Sequence, residues 1–120
     1  MKNKKVLLII VLVIVVVAGG IIYSRINQSS EADNRVILFY RDSCPHCANV
    51  EEFVKANNIE EKYPFERLSV DNPVNAQLFM KKIKYCEIPS ELAGVPLLWD
   101  RSKCRLGDAD IINFFEEKIK

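Results

Sequence analysis

The sequence predicts an α/β domain with a mixed four-stranded sheet and flanking helices, placed behind an N-terminal transmembrane helix. Short apolar runs of strand length alternate with segments in which apolar residues recur at helical spacing, the pattern of an α/β domain. An unbroken apolar stretch over residues 6–23 is long enough to cross a bilayer. Residues 24–34 are polar and read as a linker, which leaves residues 35–120 as one domain.

Residues 1–23 are predicted to form a short basic stub followed by a membrane anchor. Three lysines precede the apolar stretch, no charge interrupts it, and only Arg25 follows it closely. The positive-inside rule therefore predicts a single-pass protein of the cell membrane, with a cytoplasmic N-terminus and an extracytoplasmic C-terminal domain. A cleaved signal peptide is the alternative, although its apolar core usually has about 7–15 residues and a small-x-small cleavage site. Only Ala18-Gly19-Gly20 could provide such a site.

The charge of the remaining chain argues against nucleic acid as a partner. Three of the 17 basic residues lie before the apolar stretch, and the other 14 are set against 16 acidic residues, which gives a net charge of about −2. The basic residues form no cluster of the kind that binds phosphate backbones.

The first strand is predicted over Val36–Tyr40, because a continuous apolar run of this length is typical of a strand buried on both faces. A helix follows over Ala48–Asn57, where apolar residues recur at helical spacing. Phe65–Val70 alternates apolar and polar residues and predicts the second strand. An Asn-Pro start signal then predicts a second helix over Val74–Tyr85, with three of its residues in solvent, Lys81, Lys82 and Lys84.

The last three elements are predicted to be a β-hairpin and a helix. Pro96–Trp99 and Lys103–Leu106 flank the turn segment Asp100-Arg101-Ser102. Gly107-Asp108 then caps the final helix, whose inward-facing residues are predicted to be Ile111, Ile112, Phe115 and Ile119. The predicted order is β-α-β-α-β-β-α. A helix between the first two strands makes them parallel, and the hairpin adds antiparallel pairing.

The motif Cys44-Pro45-His46-Cys47 lies between the first strand and the first helix, where a redox-active pair of thiols is expected. At a helix N-terminus, unpaired N–H groups and the helix dipole stabilise a Cys44 thiolate that attacks other disulfides. Pro45 suits the first helical position. Cys47, one turn later, is predicted to resolve the mixed disulfide. A partly protonated His46 is predicted to favour the Cys44 thiolate, which makes the couple more oxidising.

A zinc half-site is the alternative for a Cys-x-x-Cys motif. A structural zinc site needs two further ligands, and only Cys86 and Cys104 are available, which do not have the spacing of a zinc knuckle. The proline within the motif and the strand before it fit a redox turn better, so no metal site is predicted. Cys86 and Cys104 are instead predicted to form a structural disulfide in an extracytoplasmic domain; a second exchanging pair and free buried thiols are the alternatives.

With these elements in place, residues 35–120 resemble the thioredoxin superfamily in its short, glutaredoxin-like form. The features that carry the resemblance are the strand-Cys44-Pro45-His46-Cys47-helix unit and Gly94-Val95-Pro96 at the start of the hairpin. The resemblance implies a thioredoxin-like fold and a cis Val95–Pro96 bond, an isomer otherwise found in only about 5–6% of X–Pro bonds. It also implies a substrate groove formed by Val95 and Pro96, where Val95 pairs with a bound polypeptide strand.

The Cys-Pro-His-Cys motif itself is similar to the active site of the bacterial periplasmic disulfide-forming oxidants, although this chain has no room for their inserted helical domain. Arg41 stands three residues before Cys44, where glutaredoxins commonly carry lysine, and Gly107-Asp108 falls near their glutathione-contacting turn. A glutathione-dependent glutaredoxin is therefore an alternative. Thioredoxins and the periplasmic oxidants place a buried carboxylate six residues before the first cysteine, and that position is Leu38 here. Glu51 or water is then the expected acceptor for the Cys47 proton, or Cys47 deprotonates slowly.

The sequence thus predicts a membrane-anchored thiol:disulfide oxidoreductase that exchanges disulfides with protein cysteines outside the cytoplasm through Cys44 and Cys47. Its expected partners are protein thiols or disulfides as substrates and an integral-membrane redox partner, and no bound cofactor is expected. The direction of electron flow stays open, because the membrane partner decides it. A non-catalytic copper or zinc carrier that uses the same cysteines is the alternative from a different class, and a redox-inert adaptor is a third.

Overall fold

The computed structural model describes residues 2–27 and 33–120, which form two units that divide after residue 33. In the first unit, helix α1 runs over Lys2–Asn27. Its portion Lys2–Tyr23 is long enough and apolar enough to cross a membrane. The large apolar side chains of this portion are exposed on every side of the helix, as in a segment whose solvent is lipid.

Helix α1 ends later than the sequence predicts. The predicted linker covers residues 24–34, but α1 continues to Asn27, because Ser24-Arg25-Ile26-Asn27 contains neither proline nor glycine to stop it. Residues 28–32 of the predicted linker lie outside the described residues. The second unit begins at Asn34, next to the predicted start of the domain.

The second unit is built on a mixed four-stranded sheet, as the sequence predicts. Its strands are shorter than the predicted segments by one or two residues: β1 (Ile37–Tyr40), β2 (Glu66–Ser69), β3 (Leu97–Trp99) and β4 (Cys104–Leu106). They lie in the order β2-β1-β3-β4. β1 pairs in parallel with β2 and antiparallel with β3, and β4 pairs antiparallel with β3. β1, and the motif that follows it, therefore lie in the interior of the sheet, with a strand paired on each side.

Four helices accompany the sheet, namely α2 (Pro45–Ala56), α3 (Ile59–Lys62), α4 (Pro73–Tyr85) and α5 (Asp108–Ile119). The single turn α3 is not predicted by the sequence. It follows Asn58, whose backbone is left-handed (φ 50°), a conformation that asparagine tolerates better than most residues. Helix α4 begins where the Asn-Pro signal predicts, because the Asn72 side-chain oxygen accepts a hydrogen bond from the Val74 N–H at 2.9 Å.

The core lies on both faces of the sheet, because successive residues of a strand point to opposite sides. On one face, Val36 and Leu38 pack with side chains of α2, α3 and α5. On the other face, Ile37 and Phe39 pack with α4, and the Phe39 ring meets the Phe79 ring edge-on with centroids 5.6 Å apart. This two-sided burial is the reason that the β1 sequence is apolar at each position.

Two buried side chains correct the sequence analysis. Lys82, predicted in solvent, is only 8% exposed, and its Nζ lies 3.9 Å from the centroid of the Trp99 ring. A lysine stem packs well on apolar surface when its ammonium group finds an aromatic face. Phe114, which is absent from the predicted core, is buried against Phe115. Among the predicted core residues of α5, Ile111 and Phe115 are buried, whereas Ile112 and Ile119 are half-buried.

Candidate functional site

The Cys-Pro-His-Cys motif lies at the turn from β1 into α2. Cys44 is the N-cap of α2, with extended backbone angles, and Pro45 is the first helical residue. The Cys44 Sγ accepts a hydrogen bond from the Cys47 N–H at 3.1 Å, as the side-chain oxygen of an ordinary N-cap does. The start of the helix therefore directs an N–H donor and the positive end of its dipole at the Cys44 sulfur.

The two cysteines of the motif differ in exposure. Their sulfur atoms are at disulfide distance, and their Cα atoms are 5.2 Å apart. Cys44 is half-buried, whereas only 7% of Cys47 is exposed. A thiolate that approaches from solvent therefore reaches the Cys44 sulfur more readily than the Cys47 sulfur. This asymmetry suits an exchange in which one cysteine forms the mixed disulfide and the other resolves it.

The start of β3 forms the opposite side of the site. The Val95–Pro96 peptide bond is cis, the isomer that the family resemblance implies. The Val95 carbonyl oxygen lies 3.5 Å from the Cys44 Sγ, and Pro96 is buried. The Pro96 carbonyl oxygen accepts a hydrogen bond from the Gly107 N–H at 3.1 Å. Segments that are far apart in sequence are thus held together around the Cys44 sulfur.

His46 meets a carboxylate on a different helix. Its Nδ1 lies 3.1 Å from the Asp108 Oδ2, and 70% of its side chain is exposed. Residues two apart on a helix do not face one another, which explains why the imidazole meets α5 although Cys44 is only two residues away. This contact does not test the effect of His46 on the Cys44 thiolate, which stays a prediction.

Asp108 does more than begin α5. Gly107, whose φ of 90° favours glycine, is the N-cap, and the Asp108 Oδ1 accepts a hydrogen bond from the next N–H at 3.0 Å. The Asp108 Oδ2 accepts a second one from the Asn49 Nδ2 at 2.7 Å. The hydrogen bonds from Asn49 and then His46 lower the pKa of Asp108 to about 2. The sequence analysis missed Asn49, because no local pattern links a helix residue to a partner on a distant helix.

Glu51, the predicted proton acceptor for Cys47, is engaged elsewhere. It forms an ion pair with Arg67 and another with Lys55, whose Nζ lies 3.6 Å from the Glu51 carboxylate. Leu38, at the position where the resembling families carry a carboxylate, is 2% exposed and packs in the core. Two of the predicted alternatives remain: water accepts the Cys47 proton, or Cys47 deprotonates slowly.

The two sequence matches to glutathione-contacting positions have partners within the protein. The Arg41 Nε donates a hydrogen bond to the Asp71 Oδ1 at 2.9 Å. Asp108 is held by Asn49 and His46, as described above. A glutathione carboxylate or ammonium group would have to displace these contacts, so the geometry adds no support to the glutathione alternative.

A second disulfide joins the two cysteines outside the motif. Cys86 is the C-cap of α4 and Cys104 begins β4, and their Cα atoms are 6.1 Å apart. The chain segment that this disulfide closes contains Val95 and Pro96. The bond therefore ties the end of α4 to the hairpin whose first strand borders the Cys44 sulfur.

Comparison with family models, with curated proteins and with solved structures found no match to this chain. Within residues 2–27 and 33–120, no group of three or more His, Cys, Asp or Glu side chains is arranged to hold a metal ion.

Proposed function

We propose that the protein is a membrane-anchored thiol:disulfide oxidoreductase with a thioredoxin-like domain, which exchanges disulfides with protein cysteines outside the cytoplasm. One observation carries the proposal. Cys44 caps a helix, is half-buried and accepts a hydrogen bond at its sulfur from the Cys47 N–H, while its disulfide partner Cys47 is buried. A helix N-terminus stabilises the thiolate that leaves when this disulfide is opened.

The exchange proceeds in two balanced steps. A substrate thiolate attacks the Cys44 Sγ, the Cys44–Cys47 bond breaks, and Cys47 leaves as a thiolate that takes up a proton from water. A second substrate thiolate then attacks the substrate sulfur of the mixed disulfide, and Cys44 leaves as a thiolate. The substrate loses two electrons and the Cys44–Cys47 pair gains them. The same steps in reverse reduce a substrate disulfide, with Cys44 attacking and Cys47 resolving.

The arrangement of the domain supports the proposal of a thioredoxin-like fold and of a peptide as the substrate. The Cys44–Cys47 pair follows β1, an interior strand of the sheet, and the Val95 carbonyl oxygen, just before β3, lies 3.5 Å from the Cys44 sulfur. A substrate strand that binds along the Val95 backbone would bring its own sulfur to Cys44, the main-chain mode of recognition that extended peptides use.

The apolar helix α1 supports the anchored location. A span of this length and composition fits a bilayer, and the N-terminal lysines favour a cytoplasmic N-terminus. Each exchange leaves the Cys44–Cys47 pair in the opposite redox state, so it needs a partner to restore it. For a protein anchored in the membrane, an integral-membrane redox partner is proposed to supply or remove these electrons. The identity of that partner sets whether the protein works as an oxidant or as a reductant.

The test is to trap the mixed disulfide in cells. In a Cys47→Ala variant, substrate proteins should accumulate as adducts on Cys44 that disappear on reduction, because the resolving thiol is absent. A Cys44→Ala variant with Cys47 intact is the matched control and should form no adducts. Absence of adducts from the Cys47→Ala variant, combined with alkylation of Cys44 no faster than that of an ordinary thiol, would refute the proposed activity.

A further inference from the structure

The turn at the start of α5 contacts both halves of the redox site. Through Asp108 it holds the first turn of α2, because the Oδ2 lies 3.1 Å from the His46 Nδ1 and 2.7 Å from the Asn49 Nδ2. Through the Gly107 N–H it binds the carbonyl oxygen of Pro96 at 3.1 Å. The Asp108 carboxylate therefore has a fixed place beside the histidine of the motif, and its position does not depend on a flexible side chain alone.

A carboxylate in this place opposes what the histidine is expected to do. An imidazolium near Cys44 favours the thiolate and so makes the couple more oxidising. Together, His46 and the Asp108 carboxylate have a net charge of zero when the imidazole is protonated and a negative net charge when it is neutral. The pKa of about 2 keeps Asp108 ionised over the physiological range. The nearest cation on β4, Arg105, is engaged by Asp100 at 3.2 Å and by Asp110 at 3.3 Å.

We propose that Asp108 is a positioning residue for His46 that makes the Cys44–Cys47 couple less oxidising than the Cys-Pro-His-Cys motif alone would make it. The inference rests on the proposed exchange activity of this pair. Asn49 has a supporting part, because its amide holds the carboxylate in place without adding charge. The protein would then be tuned for exchange in both directions rather than for strong oxidation.

The experiment compares the equilibrium constant for oxidation of the Cys44–Cys47 pair by glutathione disulfide in the full chain and its variants. Asp108→Asn removes a negative charge next to His46, in either protonation state of the imidazole. The Cys44 thiolate, and with it the reduced pair, is then favoured. The equilibrium constant for oxidation should therefore fall by about two- to fivefold, the size of an exposed charge interaction, and the Cys44 pKa should fall with it. His46→Gln leaves the carboxylate uncompensated and should raise the constant. The double variant should lie between the two single ones.

Asp110→Asn is the matched control, because it removes a carboxylate from the same turn of α5 that pairs with Arg105 instead of His46. It should leave the constant within experimental error. Asn49→Ala, which keeps every charge, should shift the constant in the direction of Asp108→Asn but by less. The inference is overturned if Asp108→Asn and Asp110→Asn give equal constants, or if Asp108→Asn raises the constant. A wild-type Cys44–Cys47 pair that exchanges neither with glutathione nor with a dithiol such as dithiothreitol would instead refute the proposed function.

Discussion

At the scale of single residues, the two sulfur atoms of the site have different surroundings. Cys44 is the N-cap of α2 and is half-buried, and Cys47 is buried one turn along the helix. Of the two residues between them, Pro45 starts the helix, where its missing N–H group has no partner to lose, and His46 contacts Asp108.

The acid stability of the domain should depend on Asp108. Its folded-state pKa of about 2 lies below the ordinary value of 3.8, because it accepts hydrogen bonds from Asn49 and His46. The ionised carboxylate therefore stabilises the fold, fully above about pH 4, and this contribution is lost as the pH falls towards 2. Asp108→Asn should lower the urea midpoint of unfolding near neutral pH, and the difference from the wild-type midpoint should shrink between pH 4 and pH 2.

Asp110→Asn serves again as the control for this prediction, since it changes the net charge by the same amount. A wild-type to Asp108→Asn difference that stays constant from neutral pH to pH 2 would show that the Asp108 carboxylate does not stabilise the folded state through its charge.

At the scale of elements, the two disulfides are proposed to have different roles: the Cys44–Cys47 bond exchanges with substrates, and the Cys86–Cys104 bond stabilises the fold. Removing the second disulfide by Cys86→Ala with Cys104→Ala should lower the free energy of unfolding by about 3 kcal/mol, the chain-entropy value for a loop of this length. Exchange by the domain that remains folded should persist, because Cys44 and Cys47 are untouched. Urea unfolding and a disulfide-reduction assay measure the two effects.

The matched variant is Cys44→Ala with Cys47→Ala, which should abolish exchange while the domain stays folded. If removal of Cys86 and Cys104 instead abolishes exchange in protein that is still folded, the second cysteine pair takes part in electron transfer and is not structural.

Elements with a strong local pattern were predictable from the sequence. The buried run of β1, the Asn-Pro start of α4 and the hairpin after the cis-proline all have signals that lie within a few residues. The single turn α3 has no such signal, since it depends on one left-handed residue, Asn58. The predicted exposure of Lys82 is wrong, because the burial of this side chain depends on Trp99 in another element, whose aromatic face contacts the ammonium group.

The candidate site was predictable in part for the same reason. A Cys-x-x-Cys motif after an apolar strand can be read locally, and so can the proline that opens the hairpin. The contact of Asp108 with His46 and Asn49 joins two helices that are distant in sequence, so neither periodicity nor spacing indicates it. Without the structure, Asp108 is indistinguishable from a helix-capping residue.

At the scale of the whole molecule, the proposed role requires the N-terminal helix to remain as an anchor. The full chain should stay with the membrane after alkaline carbonate extraction, because α1 has the length and apolarity of a spanning helix. A membrane-impermeant maleimide should label Cys44 in intact cells after mild reduction. Release of a shortened, soluble domain, or labelling only after the cells are opened, would contradict the anchored extracytoplasmic location.

A charge variant tests the orientation separately from the anchoring. Replacing Lys2, Lys4 and Lys5 by Gln removes the positive charge that the positive-inside rule uses. Labelling of Cys44 from outside should then decrease while the protein remains in the membrane.

The most direct test of the central claim is a redox titration of the full chain in detergent, with the oxidation state of each cysteine counted by alkylation and mass spectrometry. The Cys44–Cys47 pair should titrate reversibly as a two-electron couple between about −270 and −120 mV, the range of thiol–disulfide exchange proteins. The Cys86–Cys104 pair should stay oxidised to below about −300 mV, as structural disulfides do. A Cys44–Cys47 pair that resists reduction to the same potential as Cys86–Cys104 would contradict the account, because both bonds would then be structural.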